Sequence, residues 1–256
     1  MAIRLAISAA CGRGGKLYER LSEVSPARRE LIRRAFRLLP APARLRILDA
    51  GCGRGGPAVE LARLSGGEVV GLDISRRALA ALAERVRHER LPHRVHAVHG
   101  SLTAMPFADG AFDVVWAEAS LHAVGLEAGL AACRRLLAPR GCLVVHDLAW
   151  LRPDPPAELA RYWDDIHFDV PTVPACLAMA RRSGYEVLEH FPVPGEFWWT
   201  DYYVPLQSLL HEMRERWAAD PVALHALDRH QRAVDVHRAH GAWIGSAYLL
   251  MRRTMP

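Results

Sequence analysis

Apolar and polar positions along the chain switch between two periods. Residues 26–39 place apolar side chains at the three- and four-residue spacing of an amphipathic helix, and Ser25-Pro26 supplies a cap and a first-turn proline. Pro40 and Pro42 end it. Residues 45–49 are a short apolar strand. A glycine turn over 51–56 follows, and Pro57 fits the first turn of a helix running to about residue 64. Residues 68–73 predict a second strand, with Ser75 capping the next helix. Residues 95–99 alternate as a third strand, 112–117 predict a fourth and 141–147 a fifth. A helix over 171–184, a sixth strand over 185–191 and a last strand over 243–252 complete the pattern. Strands alternating with helices at this spacing predict an α/β fold, a doubly wound, seven-stranded, mostly parallel sheet with helices on both faces.

The texture changes near residue 148. Fourteen of the 19 aromatic residues fall in 141–256, beside the proline-rich stretch 153–156. Residues 192–240 form a long, mostly helical insertion between the last two strands. The expected organisation is a flexible start over 1–24 and one domain over 25–256, carrying aromatic-rich lid insertions at about 148–170 and 192–240.

Composition narrows the classes. Half the residues are apolar and 24% charged, a folding composition, and no apolar run reaches the roughly 18–20 residues that span a bilayer. The formal charge is +5 and Lys16 is the sole lysine, so the basic residues are nearly all arginines. They come as scattered pairs on element faces, which argues against nucleic acid and against a membrane surface as partner. Five cysteines without CxxC spacing argue against a disulfide framework and a zinc ribbon. The apolar stretch near the N-terminus is shorter than a secretory signal needs, so a cytoplasmic location is expected. The late histidines lack metal spacing apart from His237 and His240; they read as helix-surface residues, and no metal is expected.

Cys-Gly-Arg-Gly-Gly occurs at 11–15 and at 52–56; only the second copy follows a strand. Gly51-x-Gly53-x-x-Gly56 alone satisfies the dinucleotide pattern and leaves a nicotinamide-dependent oxidoreductase open. Asp49, two positions before the first glycine, separates the readings. A pyrophosphate has no use for that carboxylate; a cofactor with a cationic head does.

The segment Asp49-Ala-Gly-Cys-Gly-Arg-Gly resembles motif I of class I S-adenosylmethionine-dependent methyltransferases. Asp73-Ile-Ser75 resembles the acidic end of that family's second strand. Met105-Pro-Phe-Ala-Asp-Gly-Ala-Phe-Asp-Val-Val115 resembles the stretch before strand four in the methyltransferase type 11 group related to quinone-biosynthesis enzymes. Leu136-Leu-Ala-Pro-Arg-Gly-Cys-Leu143 is similar to the turn entering strand five. Trp116-Ala-Glu118 and Trp199-Thr-Asp-Tyr-Tyr203 further resemble a bacterial subgroup without a secure substrate.

The resemblance implies a Rossmann-like methyltransferase fold, S-adenosylmethionine as cofactor and a small-molecule acceptor, in a monomer or homodimer. It places the cofactor against Asp49, Ala50, Gly51, Cys52, Gly53, Gly55, Asp73, Ile74, Gly100, Ser101, Leu102, Ala117 and Glu118. Gly51 and Gly53 would admit the methionine part, the helix after Gly55 would favour its carboxylate, and Asp73 would accept the ribose hydroxyls. Ile74 and Leu102 would sandwich the adenine near Ser101. On the acceptor side, Glu118 and His122 are the catalytic candidates, with Asp147 weaker and His146 a packing residue. Trp150, Trp199, Asp201, Tyr202, Tyr203 and His122 are the expected acceptor-binding residues. A cofactor-binding regulatory protein without catalysis is the alternative outside enzymes.

Overall fold

A computed structural model describes residues 24–40, 44–165 and 169–254, so the flexible start expected over residues 1–24 lies outside the described residues except for Val24. Seven strands form one sheet in the order β3-β2-β1-β4-β5-β7-β6. They are β1 (Arg46–Ala50), β2 (Glu68–Asp73), β3 (Val95–His99), β4 (Phe112–Glu118), β5 (Leu137–Trp150), β6 (Tyr185–Val193) and β7 (Ile244–Arg253). The pairings β1 with β2, β1 with β4, β2 with β3 and β4 with β5 are parallel. β2 and β3 extend the sheet on one side of β1 and β4 and β5 on the other, and such a switch point opens a crevice at the strands' carboxyl ends.

The strands read as their positions require. The central β1 and β4 are continuous apolar runs because both faces are covered: Ile47, Leu48, Val115 and Trp116 are fully buried. The edge strand β3 is mostly exposed, with only Val95 buried and Val98 half-buried. Helix α1 (Pro26–Arg37) starts where Ser25 Oγ accepts the Arg28 N–H at 3.0 Å. Helix α2 (Gly56–Ser65) follows the glycine turn, and α3 (Arg76–His88) is capped by Ser75, whose hydroxyl accepts the Ala78 N–H. Strand β5 exceeds the expected 141–147. Leu137 already pairs with Phe112, and the register then shifts across a stretch where Arg140 takes a left-handed φ of 63°.

The chain divides into two compact units. One comprises residues 24–147, 174–191 and 247–256 and holds most of the sheet, α1 to α3, α4 (Leu126–Leu136) and nearly all of α6 (Val173–Arg182). The other includes residues 148–173 and 192–246. It carries α5 (Ala157–Asp165), a π turn over Trp199–Tyr203, α7 (Val204–Arg216) and α8 (Pro221–His240). Its core is Leu159, Trp163, Leu206, Leu210, Leu227 and Val234, with Tyr203 among them. Asp220 caps α8 by accepting the Val222 and Ala223 N–H groups.

Candidate functional site

The glycine turn leaves β1 with three left-handed residues: Gly51, Gly53 and Gly55 have φ of 82°, 55° and 78°. A Cβ on Gly51 would stand 2.5 Å from Ser120 Cβ, and one on Gly55 would stand 2.0 Å from Leu82 Cδ1. These two are glycine because protein fills the space. At Gly53 an added Cβ meets nothing within 4 Å. The sequence expected Gly51 and Gly53 to serve one purpose; the structure separates them, and only Gly53 faces open ground.

Asp49 ends in that neighbourhood and is 1% exposed. Its Oδ2 is buried without a hydrogen-bond partner. Burial, then the charges of Glu118 and Asp73, push its carboxyl well above the usual carboxylate range, against the pull of Arg28. Asp73, at the end of β2, accepts the Gly53 N–H at 2.8 Å with one oxygen and the Ser75 N–H at 2.8 Å with the other. It therefore fixes the glycine turn as well as offering remaining lone pairs outward. Beside it Ile74 is 70% exposed, an unusual state for a large apolar side chain, and Leu102 is half-buried. Ser101 Oγ bonds Thr103 Oγ1 at 2.8 Å and accepts the Thr103 N–H. The Gly100 N–H donates to the Asp73 carbonyl. Ala50, Cys52 and Ala117 are buried and supply backbone to the crevice floor; burial pushes the Cys52 thiol up, so it is an inert apolar group.

Glu118 was expected to touch cofactor or acceptor. The structure instead holds it in a buried ion pair. Its Oε1 receives Arg28 Nε at 2.7 Å and lies 3.3 Å from His146 Nδ1, and its Oε2 receives the Trp116 indole N–H at 3.3 Å. Burial opposes its ionisation, but Arg28 and His146 outweigh burial and hold it well below the usual carboxylate range. His146 stacks on Tyr248 with centroids 4.1 Å apart, so it packs as expected.

After Glu118 the chain turns through Ala119, a non-glycine residue at φ 50° whose N–H donates to the His146 carbonyl at 2.7 Å. This bend carries His122 into a short 3-10 turn, Leu121–Ala123, opposite Asp147 at the end of the first unit's part of β5. His122 Nδ1 lies 2.7 Å and 2.8 Å from the two Asp147 oxygens, and Oδ2 also accepts the His122 backbone N–H at 3.2 Å. A carboxylate only accepts, so the bridging proton sits on Nδ1. Asp147, the weaker candidate from the sequence, is the partner of His122; its position one residue after His146 was the available signal.

The second unit has a cavity of about 540 Å³ of its own, lined by Leu151, Pro194, Glu196, Trp199, His237 and Arg238 among others. Trp199 reaches it and carries the Arg238 guanidinium 5.2 Å from its ring centre. Trp150, Asp201 and Tyr202 are half-buried. Tyr203, expected at an acceptor surface, is a core residue stacked 4.0 Å from His237. His230 and His237, expected on the helix surface, are also buried.

Residues 47–141 match the family model described as a methyltransferase domain. A sterol 24-C-methyltransferase of Gibberella zeae (ERG6B) is 38% identical over 111 residues, 43% of this chain and 29% of that protein. The methyltransferase GfsG of Streptomyces halstedii is 33% identical over 129 residues, 50% of this chain and 46% of that one. The chain thus spans less than half the length of these curated relatives. Among solved structures the [4+2]-cyclase SpnF superposes with a TM-score of 0.76 at 23% identity, covering 92% of this chain and 85% of that one, a likeness of fold. Motif, fold and matches agree on a methyltransferase domain over residues 47–141, similar to that of S-adenosylmethionine-dependent methyltransferases.

Proposed function

We propose that the chain binds S-adenosylmethionine at the ends of β1, β2 and β4 and transfers its methyl group to a small-molecule acceptor, with His122, held by Asp147, taking up the proton the acceptor releases. The observation that carries this is Asp49 Oδ2, a buried carboxylate oxygen with no partner, at the foot of the turn where Gly53 leaves room. A buried anion is stabilised by a cation, and an amino-acid sulfonium brings one in its ammonium group. A dinucleotide would bring pyrophosphate to the same carboxylate and be repelled, which disfavours the oxidoreductase reading.

The residues present fit the group. Asp49 meets the ammonium, Gly53 lets the backbone approach, and the N-terminus of α2 favours the carboxylate. Asp73 accepts ribose hydroxyls with its outward lone pairs, while Ile74 and Leu102 cover the adenine faces. S-adenosylmethionine, when bound, supplies an already activated methyl for in-line displacement, so positioning is the protein's main task. Asp147 orients His122 through its Nδ1–H, and the imidazole takes up the acceptor's proton as the new bond to carbon forms and the carbon–sulfur bond breaks. Within the second unit, Trp199 lines that unit's own cavity, and Trp150, Asp201 and Tyr202 are half-buried. Sterols, the substrates named for one relative, support a small-molecule acceptor.

Methyl transfer from tritiated S-adenosylmethionine into a metabolite extract tests the reading. Expected are label incorporation by the wild type and a loss of about a hundredfold or more in His122→Asn and Asp147→Asn, with S-adenosylhomocysteine affinity retained. No binding of S-adenosylhomocysteine would overturn the cofactor assignment. Binding without transfer would favour the second reading, a cofactor-binding protein with another role, to which the fold likeness to a cyclase lends support.

A further inference from the structure

Three attachments fix α1 beside the glycine turn. Val24, just before its cap, packs so closely that a Cβ on Gly56 would lie 2.1 Å from Val24 Cγ2. Arg33 Nε donates to Glu60 Oε1 at 2.7 Å, and Glu60, on α2, is 3% exposed. Arg28 Nε donates to Glu118 Oε1 at 2.7 Å, with the two side chains 17% and 2% exposed. One helix thus supplies a guanidinium to each of the buried carboxylates on α2 and at the end of β4. Arg28 is held by Glu118, two residues past Trp116, which pairs with Asp49 across the sheet, and its charge reaches the Asp49 carboxyl together with those of Glu118 and Asp73.

This arrangement has a consequence for a cationic ligand. A guanidinium near a buried carboxylate with an unpartnered oxygen would ordinarily pair with that oxygen, and Asp49 would then have no open oxygen for an ammonium. Glu118 prevents this by engaging Arg28, with His146 and Trp116 completing its own bonding. We infer that Arg28 and Glu118 are positioning residues for the cofactor: each occupies the other, so that Asp49 alone is left to receive the cofactor's ammonium group. The inference rests on the reading that Asp49 meets that group.

The test compares two ligands by calorimetry. S-adenosylhomocysteine carries the ammonium; 5′-methylthioadenosine shares the adenosine and sulfur but lacks it. Glu118→Gln keeps shape and frees Arg28 to turn to Asp49. Expected is a fall of about tenfold in affinity for S-adenosylhomocysteine, with 5′-methylthioadenosine within about threefold of wild type. Arg28→Met with Glu118→Gln removes the freed cation as well and should restore S-adenosylhomocysteine to within about threefold of wild type. Equal losses for both ligands, an unchanged Glu118→Gln, or a double variant no better than the single would each overturn the inference. If Glu118→Gln does not fold, Arg28→Lys carries the comparison, because a point ammonium cannot keep the guanidinium's geometry on Glu118. It should lose affinity for S-adenosylhomocysteine alone, and equal behaviour toward the two ligands overturns the inference. Asp49→Asn is the control: wild-type affinity there would fail the Asp49 reading itself, independently of Arg28.

Discussion

At the scale of single residues, the glycine turn shows why one motif holds positions with different reasons to be glycine. Gly51 and Gly53 both have positive φ, so any side chain costs on the order of 1 kcal/mol in backbone strain. Beyond that cost they diverge. Gly51→Ala drives a methyl into Ser120, which is 2% exposed and donates its hydroxyl to the Ala50 carbonyl at 2.6 Å. It should lower the melting temperature by well over the few degrees expected for Gly53→Ala. Gly53→Ala should remain folded and lose S-adenosylhomocysteine affinity, as its methyl enters open ground. Thermal melts and calorimetry on the pair decide; a Gly53 variant that binds normally would make the turn purely structural. Asp49 makes a second prediction. Its raised pKa means that, as pH falls, it gains a proton earlier than an ordinary carboxyl. On the proposed contact the ammonium needs the ionised form, so binding would expel that proton, and affinity for S-adenosylhomocysteine should rise with pH through the acid range. Affinity for 5′-methylthioadenosine should stay flat. A flat profile for both would remove Asp49 from contact with the ammonium.

At the scale of elements, local pattern was a good guide where periodicity and capping agreed and a poor one where a polar residue sat on an apolar face. Ser25 and Ser75 announce α1 and α3 because cap chemistry is local. β1 and β4 announce themselves as apolar runs because the middle of a parallel sheet is covered on both faces. The α8 histidines misled because residue type outweighed position. His230 stands three residues after Leu227 and four before Val234, both buried, which places it on the helix's apolar stripe. Burial pushes its pKa down to about 4. The folded chain thus favours neutral His230, and the unfolded chain protonates it near 6.5. Stability in this helical unit should be unaffected above that value and fall as pH drops from about 6.5 towards about 4, by about 3 kcal/mol from this residue. His230→Leu should flatten that slope of melting temperature against pH. An unchanged slope would assign the acid sensitivity to other groups.

At the scale of the whole molecule, the places of the candidate cofactor residues in the sheet were legible and the charge balance around them was not. Asp49, Gly53 and Asp73 are close in sequence to the strand ends that carry them, so spacing reveals them. Arg28 with Glu118, and His122 with Asp147, are 90 and 25 residues apart, and only the folded sheet brings each pair together. The same non-locality applies to stability. The family match ends at residue 141, yet the sheet takes β6 and β7 from residues 185–193 and 244–253. β7 is buried almost along its length, and its Tyr248 stacks on His146 and, with centroids 5.0 Å apart, on Phe191 of β6. A fragment of residues 24–150 keeps every residue of the cofactor motif but loses both strands. It bares the edge of β5, the apolar face beneath Tyr248 and the surroundings of the Glu118–His146 pair. Such a fragment should lack a cooperative thermal transition, aggregate at micromolar concentration and fail to bind S-adenosylhomocysteine, although it contains the matched domain entire. Circular dichroism melts, light scattering and calorimetry on fragment and full chain make the comparison. A fragment that melts cooperatively and binds the ligand would show that β1 to β5 suffice, and that the strands beyond residue 184 serve the second unit rather than the cofactor site.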